Sequence, residues 1–337
     1  MDQESMNPSL YRPIQLGSLH VEGNLFAAPM AGYTDHVARE VALNHGANLA
    51  YTEMISAEAL TRGSERTQRM MRRGKNEEIL AVQLFGSNPE RLGQAAQLAV
   101  QAGANLLDLN AGCPVPKVTR NGAGSALPRD PVRLKEILLA MAEAKVPVSV
   151  KIRRGWNELE GDYWETALQM AVEAKAVAVG FHPRSRQQGY GGKADWELLT
   201  KVVQESPLPI LGSGDLRSPQ DVHSMLSRTG CAGVMLARGA VGKPQLYSQC
   251  RHFLQTGEST APLAPVEKLI MAKNHLESAI EAFGADRASR DMKKQLAGYT
   301  SGWNGSNVLR HELMQCPHAE DLLGLLDSAI TKGSSSI

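Results

Sequence analysis

Residues 79–110 read Ile79-Leu-Ala-Val-Gln-Leu-Phe85, Gly-Ser-Asn88-Pro89, Glu90-Arg-Leu-Gly-Gln-Ala-Ala-Gln-Leu-Ala-Val-Gln-Ala102, Gly-Ala-Asn and Leu106-Leu-Asp-Leu-Asn110. The first and last pieces are short runs rich in apolar residues, the size of strands buried on both faces of a parallel sheet. Between them Asn88-Pro89 is a helix-start signal, and apolar residues follow it at helical spacing. A strand, a helix and a second strand in so short a stretch make one βαβ unit.

The unit repeats in both directions. Leu25–Ala28, Leu49–Met54, Val148–Ile152, Val177–His182, Pro209–Ser213 and Gly233–Ala237 bring the candidate strands to eight. Pro131–Ala144, Trp164–Ala174 and Pro219–Ser227 have helical spacing, and Asp130-Pro131 and Ser218-Pro219 open two of them. Eight alternations predict an α/β protein built as a (β/α)8 TIM barrel. A doubly wound open sheet is the alternative on pattern alone. The alternation stops near Leu254, and the Pro-bearing Gly257–Pro265 reads as a linker. Val266–Phe283, Asp286–Tyr299, Ser306–Met314 and Ala319–Ile330 then predict a small all-helical domain. The expected divisions are a tail over 1–12, a barrel over 13–255, a linker over 256–265, a helical domain over 266–332 and a disordered tail over 333–337.

Composition limits the function classes. The 337 residues suit one large domain and one small one, and 42% hydrophobic with 21% charged residues is ordinary for a soluble protein. Thirty-six basic against thirty-five acidic side chains leave a net charge of +1, which excludes a globally basic nucleic-acid binder. Cys113, Cys231, Cys250 and Cys316 form no C-x-x-C pair, so neither a metal site nor a disulfide framework is indicated. Free thiols, a polar N-terminus carrying acids, and no apolar run of membrane length (roughly 18 residues) point to a cytoplasmic protein.

Active sites of (β/α)8 barrels lie at the C-terminal ends of the strands. The residues expected there are Pro29, Met30, Ala31, Glu53, Gln83, Asn110, Lys151, His182, Gly214, Asp215, Ala237 and Arg238. Polar residues at strand ends need no special reason, but Lys151 between Val150 and Ile152 either snorkels to solvent or meets an anion. The turns Gly212-Ser-Gly-Asp215 and Ala237-Arg-Gly-Ala240 stand where such barrels often hold a ligand phosphate, although plain tight turns read the same way. Cys113 lies in a long Gly-rich loop, Asn110-Ala-Gly-Cys-Pro114 through Ser125, too polar for core. A thiol titrating near pH 8.5 stays protonated at neutral pH and can act as a general acid. Basic residues cluster at three places: Thr61–Lys75, where Arg62, Arg66, Arg69 and Arg73 would share a helix face; Arg287, Arg290 and Lys294; and the rim residues Arg153, Arg154, Arg184 and Arg186. Together they suggest a polyanionic partner; singly each is a solvated face.

Ala27-Ala-Pro-Met-Ala-Gly-Tyr-Thr-Asp35, Val82-Gln-Leu84, Asn110-Ala-Gly-Cys-Pro114, Gly124-Ser-Ala-Leu127, Lys151-Ile-Arg153 and Ala237-Arg-Gly239, taken in order, resemble the tRNA-dihydrouridine synthases, nearest the bacterial B-type branch. The resemblance spans roughly residues 12–255 and is looser in the helical tail. It implies FMN as cofactor and NADPH, or NADH less well, as electron donor. It also implies that the C5=C6 bond of tRNA uridines, in the D-loop, is reduced to dihydrouridine. Pro29, Met30 and Ala31 would line the flavin, Gln83 and Lys151 would contact its ring, and His182 would lie beside it. Ser213, Gly214, Asp215, Ala237 and Arg238 would hold the phosphate. Cys113 would donate the proton, Asn110 would help hold the base, and Arg153, Arg184, Arg186, Arg287, Arg290 and Lys294 would meet RNA. The expected enzyme is a monomer that uses no metal and no membrane. His182-Pro-Arg-Ser-Arg186 differs from the family's H-G-R-T-R, Ser213 replaces an Asn, Ala237 replaces a Gly, and Lys293-Lys-Gln-Leu-Ala-Gly-Tyr299 only loosely matches a C-terminal RNA-docking segment. Ribosomal RNA as substrate, a free-pyrimidine reductase and an RNA binder without catalysis stay open.

Overall fold

In the computed structural model, which describes residues 9–334, the predicted alternation closes on itself. The barrel strands are β3 (Leu25–Ala27), β4 (Leu49–Ala50), β5 (Ile55–Ser56), β6 (Ala81–Phe85), β7 (Leu106–Ala111), β8 (Val148–Arg153), β9 (Val179–His182), β10 (Ile210–Gly212) and β11 (Gly233–Leu236). They run in the order β4-β3-β11-β10-β9-β8-β7-β6-β5, all parallel. β4 and β5 are two halves of the single strand expected over Leu49–Met54. The bridge Tyr51–Ala81 carries β4 onto β6 and closes the ring. The split has a local cause: the Thr52 hydroxyl, not a strand carbonyl, accepts from the Gln83 amide at 3.0 Å, so the ladder is interrupted there.

Alternation along each strand sorts side chains into two cores. Leu25, Ala27, Val82, Leu84, Leu107, Leu109, Val150, Ile152, Val179, Phe181, Val234 and Leu236 face outward into the layer of helices. Phe26, Leu49, Tyr51, Ala81, Leu106, Ala178, Leu211 and Met235 face inward and fill the lower barrel. A hairpin the sequence reading did not separate, β1 (Ile14–Leu16) with β2 (Leu19–Val21), buries Ile14, Leu16 and Val21 against that lower layer and plugs the barrel floor. One step higher the inward positions turn polar: Gln83, Asp108, Asn110, Ser149, Lys151, His182 and Ser213. The sequence therefore places an apolar bottom and a polar top inside one ring.

The helical domain has its own core of Leu269, Leu276, Leu296, Tyr299, Leu313, Leu322 and Leu326. Its helices are Pro265–Phe283, Ala285–Asp291, Lys293–Tyr299, Ser306–Gln315 and Ala319–Ser334. The helix expected over Asp286–Tyr299 is interrupted at Met292. The last helix runs to Ser334, past the start of the tail expected to be disordered at Gly333; residues 335–337 lie outside the described residues. At the other end, residues 1–8 of the expected tail also lie outside them, and Ser9 is tied down, its hydroxyl donating to the Leu254 carbonyl at 3.2 Å. Among the described residues no helix is long and apolar enough to cross a membrane.

The helix expected across Thr61–Lys75 does not form. It breaks into Ala57–Thr61 and Glu65–Arg69, because Gly63 takes a left-handed φ of 78° and Ser64 caps a new helix. Arg73 stays exposed and folds back to donate to the carbonyls of Glu77, Glu78 and Gly103. The shared basic face of Arg62, Arg66, Arg69 and Arg73 is therefore absent.

Candidate active site

A cavity of about 840 Å³ opens above the polar layer, a size that suits a cofactor with part of a substrate. Pro29, Met30, Ala31, Gln83, Asn110, Cys113, Lys151, Arg153, His182, Ser213, Gly214, Asp215, Ala237 and Arg238 all line it. A second cavity, of about 40 Å³, lies between the barrel and the helical domain and has no room for such ligands.

Lys151 crosses the cavity floor. Its neighbour on β9 is Gly180, where a Cβ would lie 3.1 Å from the lysine's Cγ, so glycine there gives the side chain its path. No hydrogen bond or ion pair engages the Lys151 ammonium among the described residues. Burial, with Arg153 nearby, lowers its pKa to about 8. At neutral pH it is a half-buried cation without an ion-pair partner, facing the cavity, where an acceptor or an anion would satisfy it. Burial and the surrounding cations Arg153, Lys151, Arg184 and Arg238 hold His182 well below the usual histidine range, so the imidazole is neutral. Its Nε2 accepts from Arg184 at 3.2 Å, which leaves the proton on Nδ1.

The ends of β10 and β11 form a cradle. Among the described residues no hydrogen bond engages the amides of Gly214, Asp215, Ala237 or Arg238. Arg217, Arg238 and Lys243 line the same end of the cavity. Gly214, at φ 126°, brings its backbone so close to His182 that a Cβ would meet the imidazole at 3.0 Å. Unengaged amides beside three cations suit an anionic group such as a phosphate. With the apolar surfaces of Pro29, Met30 and Met235 and the unpartnered Lys151, the residues present fit a flat, phosphorylated ring cofactor such as FMN.

Opposite the cradle stands the loop after β7. The Asn110 side-chain carbonyl accepts from the amides of Gly112 (3.2 Å) and Cys113 (2.9 Å) and fixes the turn. The Cys113 carbonyl accepts from Ser125 at 3.0 Å, with Gly124 at φ 60° passing too close for any Cβ. Burial pushes the Cys113 thiol up, and the Val115 amide, Arg153 and Lys151 do not reverse it. The thiol is therefore protonated at neutral pH.

Several of the arginines expected to meet RNA are engaged within the protein. Arg184 is 1% exposed. Its guanidinium donates to Asp215 at 2.8 Å and to the carbonyls of Gly191 and Gly192. Arg153 is buried, donating to the carbonyls of Gly112, Ser185 and Gly189. Arg186 stacks on Trp156, 4.7 Å from the ring centre, with Arg129 at 4.8 Å from the same ring. The side chain of Asp215, expected at the phosphate, faces Arg184 and the Ala194 amide. Burial pushes its carboxyl up, but the Ala194 amide, Arg184 and the nearby Arg217 outweigh it and the net shift is downward. In the helical domain Arg287 pairs with Asp291 and covers Phe283. Lys294 instead reaches the cavity mouth, 5.1 Å above the Tyr33 ring.

Sequence reasoning missed Arg217, Lys243, Tyr190 and the helical-domain residues Ala297, Gly298 and Ser301, all of which line the cavity. Arg217 was legible in principle, standing two residues beyond the Gly-Asp turn. Tyr190 sits in a loop with no distinguishing pattern.

The sequence model described as dihydrouridine synthase (Dus) matches residues 26–334. The chain belongs to the dihydrouridine synthase family. A probable tRNA-dihydrouridine synthase of Treponema pallidum (strain Nichols) is 42% identical over 308 residues, 88% of this chain and 90% of that protein. The tRNA-dihydrouridine synthase B of Shewanella oneidensis is 34% identical, covering 85% of this chain and 89% of its own length. Among solved structures, an old yellow enzyme homologue from Zymomonas mobilis has a TM-score of 0.51 at 13% identity, covering 77% of this chain and 96% of that one. A histamine dehydrogenase from Rhizobium has a TM-score of 0.58 at 14% identity, covering 80% and 51%. At these identities the chain shares a barrel fold with both.

Proposed function

We propose that this chain reduces the C5=C6 bond of D-loop uridines in tRNA to 5,6-dihydrouridine, with FMN as cofactor, NADPH or NADH as electron donor and Cys113 as proton donor. One observation carries the reading. A single cavity holds unengaged amides and cations at the ends of β10 and β11, an unpartnered lysine on its floor, and a protonated thiol on the loop across from those amides. The family and the relatives' names supply the substrate class.

FMN, when bound, supplies a hydride equivalent to C6 of the base. The C5=C6 bond is conjugated with the C4 carbonyl, so negative charge develops toward C5 and O4. An acid must then protonate C5, and Cys113, which is protonated and lines the same cavity, would serve. Lys151 stabilises negative charge at the cavity floor. Gln83 and neutral His182 offer hydrogen bonds without adding a charge. Arg217, Arg238, Lys243 and the unengaged amides bind the phosphate. A uridine must leave the RNA stack to reach this depth, at a cost of a few kcal/mol offset by cationic contacts at the mouth such as Lys294.

The test is Cys113→Ala. The purified variant keeps its yellow colour and its bleaching by NADPH, while dihydrouridine formation in tRNA falls by about a hundredfold or more. Full activity would remove the thiol from the chemistry. A colourless wild-type protein that cannot be reconstituted with FMN would remove the whole reading.

A further inference from the structure

Asp108 lies in the barrel centre on β7, fully buried and outside the cavity lining. Its Oδ2 accepts from Gln83 Nε2 at 2.7 Å, and its Oδ1 accepts from the Ser149 hydroxyl at 2.6 Å. Gln83 Oε1 in turn accepts from Asn110 Nδ2 at 2.7 Å. Asn110 Oδ1 then takes the amides of Gly112 and Cys113. The chain runs without a gap from a buried carboxylate to the backbone of the proposed acid.

Both amide side chains in this chain could in principle be turned end for end. The two ends of the chain forbid it. Backbone N–H groups only donate, so Asn110 must present its oxygen to the loop and its nitrogen to Gln83. Gln83 must then present its oxygen to Asn110 and its nitrogen away from it. That nitrogen requires an acceptor inside the barrel, and Asp108 is the acceptor. Burial pushes the Asp108 carboxyl up to about 6, against the Ser149 and Gln83 bonds and Lys151, and its Oδ2 accepts from Gln83 whichever form it holds. Reversing the amides would set a donor of Asn110 against the N–H of Cys113, and an unmet buried donor costs about 1–3 kcal/mol.

We propose that Asp108 is a positioning residue: as terminal acceptor it fixes the donor–acceptor polarity of the Gln83–Asn110 chain and thereby holds the Cys113 loop in its proton-donating position. The inference rests on the reading of Cys113 as the acid.

The test compares Asp108→Leu, which removes the acceptor, with Asp108→Asn, which can keep it. In Asp108→Asn the new amide oxygen faces Gln83 and its nitrogen faces the Ser149 hydroxyl. That hydroxyl can turn its hydrogen to the Leu107 carbonyl, 3.4 Å away in the parent. Two readouts are taken on the FMN-loaded protein: hydrogen-exchange protection of the Gly112 and Cys113 amides, and the rate at which tRNA reoxidises the NADPH-reduced enzyme. Asp108→Leu is expected to lose the protection and about tenfold or more of the tRNA-dependent rate, with reduction by NADPH within about threefold of wild type. Asp108→Asn is expected to keep both. If Asp108→Leu does not fold, Asp108→Val, shorter and β-branched as strands prefer, carries the same expectations. Retained protection or a retained rate in the apolar variant overturns the proposal, as does an Asp108→Asn variant as impaired as Asp108→Leu. If Cys113→Ala keeps the full rate while the protection pattern follows Asp108, the reading of the acid fails and the hydrogen-bonded chain stands.

Discussion

Arg153 and Arg184, at and after the ends of β8 and β9, stand beside the cavity with the same charge as Arg217 and Arg238, after β10 and β11, and their fates are opposite. The first pair is consumed by the protein. Five main-chain carbonyls, Asp215 and His182 take their N–H groups and fold the 183–195 loop over the barrel edge. The second pair forms no ion pair among the described residues, although Arg238 stacks on Tyr190 at 4.3 Å, and it flanks backbone amides that make no hydrogen bond. The number of cations near a site therefore does not predict what the site binds. The deciding question is which N–H groups the chain has already used.

Removing a used arginine should have the largest effect. Arg184→Ala leaves the Asp215 carboxylate and two carbonyls without their donor, at a cost of about 3 kcal/mol; this is the low end for a buried pair because Asp215 is 26% exposed. Thermal denaturation of the FMN-free protein should show a loss on the order of 5 °C. An unchanged melting temperature would mean that the loop does not depend on this arginine. Arg217→Ala should behave the other way. The FMN-free protein keeps its melting temperature, while the FMN dissociation constant rises about tenfold, as for loss of one charge-assisted phosphate contact. Equal effects of both substitutions on stability would erase the distinction.

These differences explain what was legible in the sequence. The barrel could be read because strands buried on both faces need unbroken apolar runs, and those runs are visible without a partner. Lys151 could be read for the same reason, as a charge inside such a run. Cys113 could be read because its loop is too polar to be core. The assignment of arginines could not be read, because a carbonyl that will accept from Arg184 looks like any other residue in the chain. The β1–β2 hairpin has strands of only three residues each, below the length at which alternation is a signal. Gly63-Ser64 did announce a stop and a new cap, and the count of basic residues obscured it. The contribution of the helical domain to the cavity rests on Gly298, where a Cβ would lie 2.1 Å from the Val241 carbonyl, a close approach between domains that local pattern does not encode.

Lys151 sharpens the contrast between used and unused cations through pH. Its ammonium is buried and its pKa is lowered to about 8, first by burial and then by Arg153. Below pH 8 the FMN-free protein presents the charged form. Above it the amine is neutral, and an anionic or acceptor ligand must bind with uptake of a proton. FMN affinity should therefore be flat to about pH 8 and fall about fivefold between pH 8 and 9. Lys151→Met should bind FMN more weakly and show no such slope. A slope that persists in the variant would assign the titration to another group.

The smallest effect tests the rim. Lys294 stands over Tyr33 at the mouth, while Arg287, on the preceding helix, is occupied by Asp291 and Phe283. By the rule drawn from the barrel arginines, the cation without a carboxylate partner contributes more to RNA binding. Lys294→Glu should weaken tRNA binding about threefold to fivefold at physiological salt, lower the salt slope by about one, and leave flavin content unchanged. Arg287→Glu should change affinity by less than about twofold, because its charge is already paired and exposed pairs contribute little. If the two substitutions weaken binding equally, RNA follows overall charge around the mouth rather than individual unpaired N–H groups, and the distinction holds only for the phosphate cradle.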